Sequence, residues 1–338
     1  MTEPHQVRAF FDAVEIDELK APYNTASLKV FYPASYSDSP EERNTGVVPA
    51  TDTGSPFPVV IMMAGINVDA SGYGWLARRL AQAGIVTVCY QLVSEEMPGF
   101  ISVTPGLEIA ALTPPRYGKG PSATALSAII SKLKSLNTNG LLAGKLALNT
   151  VILGGHSAGG SAALFNAEPD WFEGIAGVFS YGAHSGASTL LGWPEDTLLP
   201  LPAKVPNLIM GGTEDGCIAN SAARYSQNQN TCDATAKVEQ TFAEALTLDG
   251  NAPTVGQNAL ALFSGANHFT LAYPHDETTG RPFIDRPAIG DENALRTMMG
   301  TFIETFVLSI ANDDVAQKLQ SLENTYRANS YLADFQIK

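Results

Sequence analysis

Five residues, Gly155-His156-Ser157-Ala158-Gly159, follow directly on the apolar run Thr150-Val151-Ile152-Leu153-Gly154. A strand that ends in G-x-S-x-G and turns at once into a helix lifts a serine hydroxyl clear of the sheet on a sharp elbow. The residues two places to either side must be very small for that turn to close. Gly160, Ser161, Ala162 and Ala163 come next, so a helix starting at the serine can pack closely on the sheet. The chemistry served by such an arrangement is nucleophilic attack through a covalent serine intermediate. A chain with 30 glycines also makes Gly-rich turns with a surface serine by chance. The buried strand before and the small-residue helix after favour the elbow.

A serine hydroxyl is a weak nucleophile until a base removes its proton, and a histidine base needs a carboxylate to fix its tautomer and stabilise its charged form. The chain has five histidines. His5 is expected to lie too far from the sheet, and His156 belongs to the elbow and is expected to point away from Ser157. His268 follows the strand Ala259 to Phe263 and the small-residue turn Ser264-Gly265-Ala266-Asn267, which makes it the expected base. His275 is the fallback and His184 a pocket-lining candidate. For the acid, Asn207-Leu208-Ile209-Met210 reads as a strand running into a turn that presents Glu214 and Asp215, of which Asp215 is better placed. Asp170, near the end of the elbow helix, reads as a helix cap.

The oxyanion of a tetrahedral intermediate also needs donors. One is the backbone N–H of Ala158. The other is expected from the loop Ala64-Gly65-Ile66-Asn67, with the Ile66 N–H as the choice. Tyr73, Met97, Phe100, Ile101, His184, Trp193 and Phe269 fall on or beside loops at the same edge and form the expected substrate-binding rim. With Ile66 and Trp75 they make an apolar lining suited to a long acyl or alkyl chain, although Trp75 above all also reads as core. No cofactor or metal is expected, because no C-x-x-C pair or histidine cluster has zinc-ligand spacing.

These residues need a scaffold that brings successive strand ends to one edge. Val7 to Ile16 and Ser27 to Tyr32 read as two antiparallel strands, and regular strand–helix alternation begins at Val59. Continuous apolar runs at Val59 to Met63, Ile85 to Val93 and Val151 to Gly154 suit strands buried on both faces. Helical spacing occurs at Trp75 to Ala83, Ser122 to Leu136, Glu292 to Ile310 and Val315 to Arg327. The expected fold class is therefore α/β, a mostly parallel central sheet with helices on both faces and ligands at the carboxyl ends of the strands. Residues 1–338 read as one domain, with cap or rim segments at 94–121, 184–205 and 269–290.

Thirty-four acidic against 20 basic residues give a net charge of −14, which repels phosphate backbones and anionic lipid surfaces and removes nucleic acid from the expected partners. No stretch approaches the roughly 18 uninterrupted apolar residues of a membrane span. Met1 to Lys20 is charged throughout rather than built as a signal peptide, so the chain reads as cytosolic. Cys89 reads as a small core residue. Cys217 and Cys232 both fall in polar sequence after the acid, where a bridge would stiffen the site.

Three segments carry a resemblance to a known family: Pro58-Val59-Val60-Ile61-Met62-Met63-Ala64-Gly65, Trp75-Leu76-Ala77-Arg78-Arg79-Leu80-Ala81-Gln82-Ala83-Gly84-Ile85-Val86-Thr87-Val88, and Gly155-His156-Ser157-Ala158-Gly159-Gly160. The chain resembles the α/β-hydrolase branch that contains chlorophyllases, cutinase-like polyester hydrolases and platelet-activating-factor acetylhydrolases. The resemblance covers roughly residues 25 to 310, and its motifs are specific for the superfamily more than for any one member. It implies the α/β-hydrolase fold, serine esterase activity, the elbow serine at Ser157 and an oxyanion N–H at Ile66. The order Ser157, Asp215, His268 is the α/β-hydrolase chain order. Ala64-Gly65 departs from the His-Gly of many esterases.

The long Phe269 to Gly290 segment and the absence of a secretion signal favour the chlorophyllases. Plant chlorophyllases, however, carry their acid directly after the strand that follows the elbow helix, where this chain has Ser180-Tyr181-Gly182-Ala183. Asp215 matches the polyester-hydrolase pattern instead. The implied reaction is hydrolysis of a large lipophilic ester, such as the phytyl ester of chlorophyll. Polyester, lipase or acetylhydrolase activity is the alternative, and acyl transfer or non-catalytic binding are readings of another class.

Overall fold

The computed structural model describes residues 3–97, 99–221, 224–225, 233–248 and 255–338, without the side chains of Glu96 and Met97. In chain order the elements are β1 (Gln6–Glu15), β2 (Thr25–Ala34), α1 (Pro40–Thr45), β3 (Phe57–Met63), α2 (Gly74–Gln82), β4 (Val86–Met97), β5 (Phe100–Thr104), α3 (Leu126–Thr138) and β6 (Leu146–His156). There follow α4 (Ala158–Asn166), β7 (Ile175–Tyr181), β8 (Asn207–Glu214), α5 (Gly216–Asn220), α6 (Ala236–Gln240), β9 (Ala259–Asn267), α7 (Glu292–Ala311), α8 (Val315–Tyr326) and β10 (Leu332–Ile337).

Ten strands form one sheet in the order β1-β2-β4-β3-β6-β7-β8-β9-β10, with β5 paired to β4 off that path. The run from β4 through β3, β6, β7 and β8 to β9 is parallel. The pairs β1–β2, β2–β4, β4–β5 and β9–β10 are antiparallel. The sheet is therefore mixed, which corrects the expectation of a mostly parallel one. Two of the antiparallel strands explain the difference: β5 lies inside the segment 94–121 that reads as a cap or rim, and β10 lies beyond the last helix. Each is completed by a neighbour already in the sheet, so its own sequence carries little of the signal.

Helices cover both faces of the parallel block. Val59, Ile61 and Met63 of β3 join one core cluster with Leu126, Ile129 and Leu133 of α3 and Ala162 and Phe165 of α4. Val60 and Met62 join the other, with Leu76 and Leu80 of α2 and Met299, Phe302 and Phe306 of α7. All seven β3 residues are buried, which is why that strand is apolar without alternation. By length and composition alone α7 could cross a membrane. Its Leu295, Met298, Ile303 and Val307 are buried in the second cluster, so its hydrophobicity is that of a core helix.

Candidate active site

β6 delivers Ser157 at its carboxyl end, and α4 begins at the next residue. Ser157 has φ 56° and ψ −127°, a backbone conformation that costs a non-glycine residue about 1–3 kcal/mol and persists where the surroundings over-determine it. Those surroundings are backbone at close quarters. A Cβ on Gly155 would come within 2.1 Å of the Gly159 carbonyl oxygen, and one on Gly159 within 2.2 Å of the Met63 carbonyl oxygen. The Ser157 N–H donates to the Tyr181 carbonyl at 2.9 Å, pinning the elbow to β7. Ala158 opens α4, where the first N–H groups of a helix have no intrahelical acceptor.

The turn after β8 makes Asp215 the N-cap of α5, its Oδ1 accepting from the Ile218 N–H at 2.8 Å. The other oxygen, Oδ2, lies 2.8 Å from His268 Nδ1. Asp215 and His268 are 1% and 4% exposed, so this pair is shielded from water. An acceptor-only carboxylate fixes the proton on Nδ1 and leaves Nε2 as the basic nitrogen. Burial alone would push the His268 pKa down. The charge and hydrogen bond of Asp215, with the charge of Asp285, outweigh it, and the pKa stands above the ordinary 6.5. Glu214 ends β8 opposite Asn267 and is not the paired carboxylate. His275 stacks on Phe269 with ring centroids 3.9 Å apart.

Tyr73 does something the sequence does not suggest, and its assignment to the rim is corrected. It is fully buried, its hydroxyl accepts from the Gly65 N–H at 3.1 Å, and it meets His156 Nδ1 at 2.8 Å. His156 Nε2 lies 2.9 Å from the His268 carbonyl oxygen. A carbonyl only accepts, so Nε2 carries the proton, Nδ1 accepts and Tyr73 donates to it. Burial, with the neighbouring charge of His268, holds the His156 pKa well below the ordinary value and keeps the ring neutral. One directed chain of hydrogen bonds thus joins the loop after β3, the elbow and the His268 backbone. The available sequence signal is the tyrosine's place between Gly72 and Gly74, which leaves room to draw the ring inward.

The loop after β3 lies against the elbow: a Cβ on Gly65 would stand 3.2 Å from Ser157 Cβ. The N–H groups of Gly65, Asn67 and Val68 donate to Tyr73 Oη, the Val103 carbonyl and the Gly65 carbonyl. The Ile66 N–H has no acceptor among the described residues. Asn67 holds φ 56° and accepts from the Val103 N–H, so β5 braces this loop. Phe100 and Ile101 of β5 are exposed, as is Ile66. Met97 pairs with Phe100 through its backbone, and its side chain lies outside the described residues.

The other rim candidates pack inward. Trp193 donates its indole N–H to the Leu112 carbonyl at 2.7 Å and packs edge-on to Tyr117, against the first core cluster. Phe269 is buried between the rings of His268 and His275. His184 is buried, with Nδ1 accepting from the Gly186 N–H at 3.0 Å. Burial, together with Lys237, pushes its pKa down to about 4. Large rings on irregular loops gain more by folding onto the core than by lining an open surface. Trp75 does the same, donating to the Leu271 carbonyl from the second cluster. Asp170 is no helix cap: it is exposed and paired with Lys204.

Asp215, Cys217 and His268 bring one potential ligand atom each within 4.8 Å of one another. Each of the three already meets another group of the protein. Asp215 and His268 face each other, and burial, with the charges of Asp285 and Asp215, pushes the Cys217 thiol up to about 12. The protonated thiol donates to the Arg281 carbonyl instead. Cys217 is a free thiol, and Cys232 lies outside the described residues. No protein-family model matches the chain, and no curated protein matches its sequence.

Proposed function

We propose that the protein is a serine hydrolase of the α/β-hydrolase fold that cleaves carboxylic esters. The observation that carries this reading is the buried Asp215–His268 pair, bonded through the His268 carbonyl to His156, the residue before a serine held at φ 56° on its elbow. A structural Asp–His pair would not require a strained serine beside it. In the reaction, His268 Nε2 takes the proton as Ser157 Oγ attacks the ester carbonyl, and Asp215 stabilises the imidazolium. The N–H groups of Ala158 and Ile66 receive the oxyanion. The imidazolium then protonates the leaving alcohol, and the same base activates water to release the acid from the acyl-serine.

Exposed apolar side chains favour a lipophilic substrate. Ile66 sits on the oxyanion loop, Phe100 and Ile101 on the strand that braces it, and Phe283 on the segment bonded to the acid's turn. This agrees with the resemblance to chlorophyllases, whose substrate is a large lipophilic ester. Each methylene buried in such a groove is worth about 0.8 kcal/mol, or roughly fourfold in kcat/KM.

A fluorophosphonate should label one serine, Ser157, as read by peptide mass spectrometry, and Ser157→Ala should lose about 10⁴-fold or more of ester turnover. Activity of that variant within tenfold of wild type would sink the proposal. In a p-nitrophenyl ester series kcat/KM should climb with chain length, and chlorophyll in detergent should be cleaved. Cleavage of acetyl esters alone would remove the lipophilic preference and leave the serine esterase standing.

A further inference from the structure

A second carboxylate enters the site from the segment after the base. Asp285 Oδ1 accepts from the Gly216 N–H at 2.7 Å, one residue beyond Asp215. Its other oxygen, Oδ2, is buried and has no hydrogen-bond partner among the described residues. The backbone around Asp285 is bonded to both catalytic loops. On the acid's side, the Cys217 thiol donates to the Arg281 carbonyl and Asn220 Nδ2 to the Ile284 carbonyl at 2.8 Å. On the base's side, Asn267 Nδ2 donates to the Arg286 carbonyl at 2.9 Å. The fit is tight, since a Cβ on Gly216 would come within 2.6 Å of the Arg286 nitrogen. Residues 281–286 are thus a strap that ties the loop carrying Asp215 to the loop carrying His268.

A buried carboxylate oxygen without a donor is costly. The Gly216 and Arg286 N–H groups favour its charge, and a neighbouring cation would favour it further. The groups that interact with Asp285 electrostatically are His268 and Asp215, and Asp285 in turn acts on Cys217 and Tyr181. Those facing His268 are Asp215 from the turn after β8, Asp285 and Arg281 from the strap, His156 from the elbow and His275 from its own segment. Burial, helped by Asp215 and opposed by His268, lifts the Asp285 pKa above the ordinary 3.8. Among these neighbours His268 is the one that gains positive charge during attack.

We propose that Asp285 is a positioning residue of the catalytic pair. Its Oδ1 holds the acid-bearing turn through Gly216, and its unpaired Oδ2 supplies a second negative charge that favours the His268 imidazolium. This rests on the hydrolase reading above.

Asp285→Asn keeps an acceptor for the Gly216 N–H and deletes the charge, so it separates the electrostatic role from the structural one. The measurement is kcat and KM for a p-nitrophenyl ester across pH. In Asp285→Asn the rising limb of kcat/KM should move to lower pH by about half a unit or more, since a lost negative charge lowers the His268 pKa. On the plateau kcat should fall roughly 3- to 30-fold with KM little changed. Asp285→Ser, also an acceptor, reads the same limb should the Asn form not fold. A rising limb that coincides with wild type in the folded variant, with only a lower Tm, overturns the proposal. The control is Ser157→Ala. If it stays active, the hydrolase reading itself fails; if it is inactive while the limb of Asp285→Asn does not move, the role of Asp285 alone fails.

Discussion

Tyr73→Phe removes one oxygen and leaves the ring's volume in place, yet the structure gives that oxygen two dependants. The Gly65 N–H loses its acceptor and His156 Nδ1 loses its donor. Tyr73 and His156 have no exposed surface and Gly65 is buried as well, so water cannot replace either partner. An unsatisfied buried polar group costs about 1–3 kcal/mol, which makes the expected loss of stability roughly 2–5 kcal/mol after a small gain from no longer burying a hydroxyl. Tyr90→Phe is the control. Tyr90 is equally buried, but its hydroxyl serves a single carbonyl, that of Pro105 at 2.8 Å, so it should cost only about 1–3 kcal/mol. The two variants also differ in what they do to the reaction. Gly65 is the residue before the proposed oxyanion donor Ile66, and a misplacement of about 1 Å costs up to 10²-fold, so kcat of Tyr73→Phe should fall roughly 10- to 100-fold. Tyr90→Phe should keep kcat within about twofold. Urea unfolding followed by circular dichroism and steady-state ester kinetics give both readings. If Tyr73→Phe is no less stable than Tyr90→Phe and keeps its kcat, the chain from Gly65 through Tyr73 to His156 has no role in holding the site.

His268→Ala should be nearly as damaging to ester turnover as loss of Ser157, while Asp215→Asn should retain more, because the acid orients and stabilises the base without attacking; an active His268→Ala with an inactive His275→Ala would reassign the base. The proposed mechanism requires neutral His268, whose pKa stands above 6.5, so the rising limb of kcat/KM should be centred above that value, and a limb centred below it would contradict the dominance of Asp215 over burial. Stability should fall as pH drops below about 6.5. The unfolded chain then takes up protons that folded His156, held well below 6.5, and folded His184, at about 4, refuse. His268 contributes with the opposite sign, its stabilisation being lost as pH rises through its elevated pKa. His275 is lowered as well, so three lowered histidines stand against one raised; Tm should decrease between pH 7.5 and pH 5, and a Tm that rises over that interval would rule out neutral burial of His156 and His184.

The parts of this molecule that can be read from the chain are those where local sequence and environment coincide. β3 is buried on both faces, so its run of apolar residues announces a central strand. The elbow announces itself because backbone 2.1–2.2 Å from the would-be side chains admits only glycine at 155 and 159. What cannot be read is whatever is completed from elsewhere. β5 and β10 are strands because β4 and β9 offer them edges. Tyr73, Trp193 and Phe269 turn inward because distant carbonyls, imidazoles and rings receive them. Asp285 reaches the site through a strap that shows no period.

The proposed acid, Asp215, shows most clearly how chain position and spatial position part company. In the pattern of plant chlorophyllases the carboxylate follows the strand after the elbow helix, and here that place is held by Gly182, with φ 59°. A Cβ on Gly182 would stand 3.0 Å from both Asp215 Oδ2 and His268 Nδ1. The space a residue at 182 would enter is therefore already filled by a carboxylate delivered from the neighbouring parallel strand. β7 and β8 run side by side with Tyr181 opposite Met210, so a turn at the end of either one opens onto the same point beside the histidine. The physical requirement is a buried carboxylate at Nδ1, and a glycine at one strand end is what allows the next strand to supply it.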